Sequence, residues 1–254
     1  RQPFGGWGKS AFGPGLKAGG PNYVVQFMEV ADAVPARSAG MPAKPTLADL
    51  CARIRSRTGQ LGADGDQQYA RICAAVLSYE SAYRDEFGIP HDHFRLIGQD
   101  NYRRYLPVAD VRIRVHPQDT AFDLFARVSA AHSVGSRVTV STPPQFASAG
   151  LTLLEELTEP WAGAIEFVEE SEEQLAQAIQ ERQTERVRYA APERVPRLVW
   201  QAAGETGLCV VSRPVLAEGR VELLWYLHEQ SISSDYHRYG NLGARAKESR
   251  TEPL

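Results

Sequence analysis

The stretch DVRIRVHPQDTAFDLFARVSAAHSVGSRVTVSTPP, residues 110–144, decides the fold. "DVRIRVHP" alternates as a strand should, "DTAFDLFARVSAAHSVG" carries apolar residues at helical spacing between a capping Asp119 and a closing Gly135, and "SRVTVSTPP" alternates again. Strand, helix, strand makes a βαβ unit, and a right-handed crossover makes its two strands parallel. Downstream the alternation continues. "AGLTLLEELTEP" reads as a helix, "GAIEFVEES" as a strand, and "SEEQLAQAIQERQ" as a helix with Ser171 at its cap and acidic residues on its positive end. "PERVPRLVWQAAGETG" and "LCVVSRPV" add a further helix and strand, which predicts an α/β class with a doubly wound sheet.

Upstream, "TLADLCARIRSRTG" predicts an amphipathic helix with Thr46 at its cap and Gly59 as its stop, and "DGDQQYARICAAVLSYESAYRDEFG" predicts a second. "NYVVQFMEV" reads as a short strand or extended segment, "ADAVPARSAGMPAKP" as a connector, and "IPHDHFRLIGQDNYRRYLP" shows no clean period. Near the other end, "GRVELLWYLHEQSISSDY" reads as a long strand or hairpin arm that wants a partner edge.

Composition narrows the function. The chain has 254 residues, 43% of them hydrophobic, enough for a sizeable core. Its 28 basic and 31 acidic residues are interspersed, without the basic footprint of a nucleic-acid binder. No apolar run nears the roughly 18 residues of a membrane span. Cys51, Cys73 and Cys209 lie far apart without metal-ligand spacing, so each reads as a structural thiol and a reducing cytoplasm is expected.

The turn "HPQDTAFD" after the first strand of the βαβ unit has no glycine, so a backbone cradle for a pyrophosphate is missing and the domain reads as Rossmann-like without the nucleotide. His91 and His93 stand two apart, a spacing found in metal sites, but Asp92 and Arg95 beside them favour a hydrogen-bonded junction. His116 and His132 have no carboxylate or cysteine at ligand spacing. "LHEQSISSDYHRYGN" gathers His228, Ser231, Ser233, Ser234, Asp235 and His237, yet a triad is defined by geometry rather than by neighbours in sequence. The Trp225, Tyr226, Tyr236, Arg238 and Tyr239 side chains around it favour an interface.

The opening "RQPFGGWGKSAFGPGLKAGGPNYV" is glycine-rich yet carries Phe4, Trp7, Phe12 and Tyr23. "PFGGWGKS" followed by "KAGGPNY" resembles the end of the catalytic region of aldehyde dehydrogenases, specifically the Δ1-pyrroline-5-carboxylate (L-glutamate γ-semialdehyde) dehydrogenase module. "PHDHFRLIGQDNYRRYLP" and "EQSISSDYHRYGNLGAR" resemble segments of the long bacterial bifunctional proline dehydrogenase/pyrroline-carboxylate dehydrogenases, the proline utilization A flavoenzymes. Ser10 is followed by Ala11, where the superfamily commonly has Gly.

That resemblance implies the C-terminal part of an enzyme that oxidises proline with FAD, passes glutamate semialdehyde through an internal tunnel and oxidises it with NAD. It implies residues 1–30 as the end of the catalytic module, 31–95 as a connector with two helices, 96–218 as a noncatalytic Rossmann-like domain and 219–254 as a β-flap with a C-terminal motif. It implies that Phe4, with Gly5 and Gly6, forms a wall of the aldehyde site, and that Tyr236, His237, Arg238 and Tyr239 contact that site as a lid. The catalytic cysteine, the general-base glutamate and the nucleotide domain are expected upstream of Arg1, so the segment binds neither FAD nor NAD alone and is expected to be inactive alone. Its expected partners are the upstream dehydrogenase module of the same polypeptide and a second copy in a homo-oligomer. The rival reading is a stand-alone assembly module whose Rossmann-like domain docks a partner protein.

Overall fold

The computed structural model describes residues 3–11, 13–32 and 40–250. Phe12, the middle of the expected connector and residues 251–254 lie outside the described residues.

Two helices come first, α1 (Pro45–Arg55) and α2 (Gly65–Ala82). β1 (Gln99–Pro107) follows, and then the α/β alternation: β2 (Asp110–Arg114), α3 (Ala121–Val134), β3 (Arg137–Thr142), α4 (Ala149–Thr158), β4 (Ile165–Glu169), α5 (Glu172–Gln180), β5 (Arg186–Arg188), α6 (Arg197–Thr206) and β6 (Cys209–Val211). A short α7 (Gly219–Glu222) and a 3-10 turn, Leu223–Tyr226, lead into β7 (Leu227–Asp235).

β2 to β6 form one five-stranded parallel sheet in the order β4-β3-β2-β5-β6, with the expected βαβ unit at its centre. Two layers of helix cover it. Val111, Ile113, Val138 and Val140 pack with Leu50, Ile54, Val76, Phe122 and Phe125 of α1 to α3. On the opposite face Val187 and Tyr189 pack with Leu175 and Ile179 of α5 and Val199 of α6. Because the pleat alternates, β5 sends Val187 to one face and Arg186 and Arg188 to the other.

Those two arginines hold the chain that leaves the sheet domain. Arg186 donates to the carbonyls of Trp225 at 2.7 Å and Leu227 at 3.2 Å, and Arg188 pairs with Glu222 at 2.9 Å, both partners fully buried. Glu222 also accepts from the Tyr226 hydroxyl and the Leu216 N–H. Burial pushes the Glu222 carboxyl up, and Arg188 with the two neutral donors opposes it.

Several local expectations are corrected. α3 is capped by Thr120, in a reciprocal box with Asp123, and Asp119 instead accepts from Arg127 and Arg194. α1 starts at Pro45, whose missing N–H costs nothing at a first turn, so Thr46 lies inside the helix, and the helix ends at Arg55, before Gly59. "NYVVQFMEV" holds a 3-10 turn, Tyr23–Phe27, in place of a strand. The first half of "GRVELLWYLHEQSISSDY" is helical, and only its second half is β7. Its partner edge is β1, inside the stretch without a clean period, and the two form a separate antiparallel ribbon. β5 was not expected either. The caps at Ser171 and Gly135 are as the sequence predicts.

Candidate functional site

Phe4 and Ala18 exchange backbone hydrogen bonds of 2.9 and 2.8 Å, so the "PFGG" and "KAGG" stretches lie side by side. The buried Lys17 ammonium donates to the carbonyls of Gly5 at 2.6 Å and Gly6 at 3.1 Å, stapling the loop. Gly6 has no room for a side chain, because a Cβ there would sit 2.3 Å from the Ser10 hydroxyl. The loop is tied to the ribbon by Glu229 of β7, 3% exposed, which accepts from the Lys17 N–H and from Asn22. Asn22 also donates to the Tyr105 hydroxyl of β1 at 2.6 Å. Burial pushes the Glu229 carboxyl up and the Lys17 ammonium down, while their mutual attraction opposes both.

Between loop and ribbon lies an open cleft of about 610 Å³. Phe4, Gly5 and Trp7 line one side, and Arg104 with residues 228–232 lines the other. Phe4 is 83% exposed, Trp7 rests edge-on against His228, and Arg104 is steered by a bond to Gln230. Tyr102 and Ile232, paired across the ribbon, add exposed apolar surface beside it.

Of the expected site residues, Phe4 and Gly5 line this cleft, and Gly6 sits behind it as an acceptor for Lys17. Residues 236–239 do not line it; they follow the far end of β7. The Tyr236 N–H bonds to Gly98, the His237 ring packs on Gly98, and Arg238 and Asn241 exchange backbone bonds around Tyr239, which is 96% exposed. The cleft wall that sequence reasoning missed is the first half of β7, together with Lys17 and Arg104. The alternation of "LHEQSIS" was the available signal, because it sends His228, Gln230 and Ile232 to one face.

Sequence neighbours within "LHEQSISSDYHRYGN" go to different partners. His228 lies 3.4 Å from Glu185, Ser233 donates to Asn101, and Asp235 accepts from Gln99. His91 contacts the Glu86 carbonyl and His93 contacts Arg103, while Asp92 accepts from the Arg95 and Asn101 N–H groups, a hydrogen-bonded junction. His132 is stacked on Trp161 and shares a hydrogen bond with Thr46, and burial lowers it to about 4. His116 accepts from the Gln118 N–H. Cys51 is buried in α1 next to Cys73, and Cys209 lies in β6. No group of three or more metal-ligating side chains exists among the described residues.

At the point where the strand order reverses, between β2 and β5, an open α/β sheet offers its ligand crevice. Here the crevice is filled from within. The fully buried Arg127 guanidinium donates to the carbonyls of Arg114 and Arg188 at the ends of both strands and pairs with Asp119 at 2.5 Å. A buried carboxylate stands in the turn where a dinucleotide would place its pyrophosphate. These residues do not fit that group.

Among solved structures, proline utilization A from Corynebacterium freiburgense is 27% identical over 94% of the chain, with a TM-score of 0.58. The chain is similar to a segment of proline utilization A. It spans 19% of the length of that relative. A variant of Bradyrhizobium japonicum proline utilization A matches at 19% identity over 74% of the chain and 22% of its own, with a TM-score of 0.51. An aldehyde dehydrogenase from Burkholderia cenocepacia matches at 20% over 64% and 37%, also at 0.51. The last two establish the fold alone, a mixed α/β architecture of the aldehyde dehydrogenase type. No protein-family model and no curated protein sequence matches the chain.

Proposed function

We propose that this segment is the C-terminal part of a bifunctional proline-catabolic enzyme, with FAD-dependent proline dehydrogenase and NAD-dependent glutamate-semialdehyde dehydrogenase activities upstream. Its own roles are to supply one wall of the aldehyde site and to cover that site and the tunnel leading to it. The observation that carries this reading is the paired "PFGG" and "KAGG" loop, held by Lys17 and facing the β1–β7 ribbon across an open cleft.

In this reading residues 1–30 end the catalytic module, 31–95 connect, 96–218 form the noncatalytic Rossmann-like domain and 219–254 form the flap and C-terminal motif. Phe4 packs its ring against the methylene chain of the aldehyde, and Gly5 and Gly6 let backbone approach it. The ribbon excludes water from a reactive intermediate. The filled crevice at Arg127 supports leaving NAD to the upstream domain, so the segment alone binds no cofactor and turns over no substrate. It works in the cytoplasm, docked on its own upstream module and available for assembly with a second copy.

The test is NAD-dependent oxidation of pyrroline-5-carboxylate by the full-length parent, by a parent truncated before Val221, and by the 254-residue chain. The expected result is impaired oxidation or released intermediate on truncation, with an inert chain alone. Full activity without the flap, or turnover by the chain, would overturn the reading.

A further inference from the structure

The tail beyond β7 folds back onto the start of β1 and the loop before it. Arg245 donates to both carboxylate oxygens of Asp100, at 2.8 and 3.2 Å, and its guanidinium lies 3.7 Å from the Tyr236 ring centre. Arg250, with 8% of its side chain exposed, pairs with Asp92 at 3.2 Å and also with Asp100. Glu248 accepts from Arg245, closing a network of three carboxylates and two guanidiniums. Asp92 is itself fixed by the N–H groups of Arg95 and Asn101.

The network spans a short chain reversal. Between Tyr236 and Arg245, Arg238 and Asn241 close a tight turn whose central residues both have positive φ, 52° at Tyr239 and 81° at Gly240. A left-handed conformation is natural for Gly240 and strained for an aromatic residue unless its surroundings impose it. On the other side, Gly98 has φ of 90° and a Cβ there would meet the His237 ring at 2.6 Å, so the turn is seated tightly on this loop.

We propose that Asp92, Asp100, Arg245 and Arg250 are positioning residues: they form a clasp that locks the 236–241 turn in place and presents Tyr239 outward as an anchor for the surface the ribbon covers. The clasp follows from the geometry alone, and the anchor role rests on the lid reading above. Two aspartates, Asp92 in the loop before β1 and Asp100 at its start, answered by two planar guanidiniums, define one seating of the tail, because bidentate geometry is lost with a slip of a single residue. An unclasped tail would leave Tyr239 free to relax out of its left-handed conformation.

The test is backbone hydrogen exchange on the full 254-residue chain, compared with its Asp92→Asn/Asp100→Asn form. Exchange across residues 236–250 is expected to rise about tenfold while the five-stranded sheet keeps its protection. Combining Asp100→Asn with Arg245→Gln is expected to raise tail exchange by less than the two single variants would together, because both remove the same contact, whereas two independent structural disturbances would add. Unchanged tail exchange in the Asp92→Asn/Asp100→Asn form would overturn the clasp. In the full-length parent, Tyr239→Ala is expected to impair aldehyde oxidation with tail protection intact; unimpaired turnover would overturn the anchor. Because the exchange readout needs no substrate, failure of the proline-catabolic reading leaves it interpretable.

Discussion

The sheet domain and the β1–β7 ribbon satisfy their polar groups in opposite ways. In the sheet domain charges are internal: Arg127 of α3 pairs with Asp119 in the turn before that helix, and Arg188 of β5 pairs with Glu222 of α7, both pairs buried. On the ribbon side the clasp and the Lys17–Glu229 contact hold the ends, Arg103 turns inward to Glu86, and the outer surface leaves Phe4, Trp7, Tyr102 and Ile232 exposed. An isolated two-stranded ribbon is marginal in water, so this one borrows its order from the loop and tail that tie it down. The contrast separates a part that closes on itself from a part that leaves apolar surface exposed.

The largest test of that contrast is Glu222→Ala. It leaves the Arg188 guanidinium buried without its carboxylate and removes the acceptor of Tyr226 and Leu216. A loss of about 3–5 kcal/mol is expected, read from the urea midpoint. Because Glu222 joins the sheet domain to the start of β7, the ribbon should lose order in the same transition. Separate transitions for sheet and ribbon would break the idea that β5 anchors both.

A smaller effect comes from pH. His132 is held neutral by burial, with Lys44 adding repulsion, and its folded value of about 4 lies below the ordinary 6.5. The unfolded chain therefore takes up this proton first as pH falls, and stability present above 6.5 is lost as pH drops towards 4. Burial also shifts His93, His116 and His228 downward, adding to the same slope. The clasp loses stability in the same direction but in a lower window: Arg245 and Arg250 hold Asp100 down to about 2, so its contribution is present above the ordinary 3.8 and is lost as pH falls from there towards 2. Burial raises the Glu222 and Glu229 carboxyls, which opposes this slope, so the histidine part is read by difference: between pH 7 and 4.5 His132→Gln is expected to lose less thermal stability than the unsubstituted chain. Tail exchange over that range, corrected for intrinsic rate, is expected to fall behind the loosening of the α1–α3 junction; a tail that opens first would reverse the assignment.

How much of this was legible follows from where each element finds its reason to exist. The central βαβ unit could be read directly because its strands and helix are local and carry their own periodicity and caps. β5 could not: three residues, Arg-Val-Arg, look like a polar loop until the tertiary structure gives both arginines carbonyl and carboxylate partners far along the chain. β1 was hidden for a similar reason. Its "QDNYRRYLP" has buried polar positions, Asp100, Asn101 and Arg103, whose partners are Arg245, Gln99 and Glu86, so hydropathy showed no strand. At the cleft, "PFGG" and "KAGGPNY" were legible as motifs, and their pairing across Phe4 and Ala18 was not, since a backbone bridge leaves no mark in composition.

The smallest expected effect in the isolated chain sharpens the comparison most. Phe4 is mostly exposed and contributes to the loop chiefly through its backbone, so Phe4→Ala is expected to change the stability of the 254-residue chain by no more than about 0.5 kcal/mol. A side chain that matters so little to its own fold needs another reason to be a large aromatic. If its ring packs the methylene chain of an aldehyde in the parent, the same substitution should raise KM for that substrate several-fold, the loss of a partly buried apolar contact. A stability loss above 2 kcal/mol with KM unchanged would instead make Phe4 part of the loop's own packing and return the cleft wall to the sheet domain's side of the comparison.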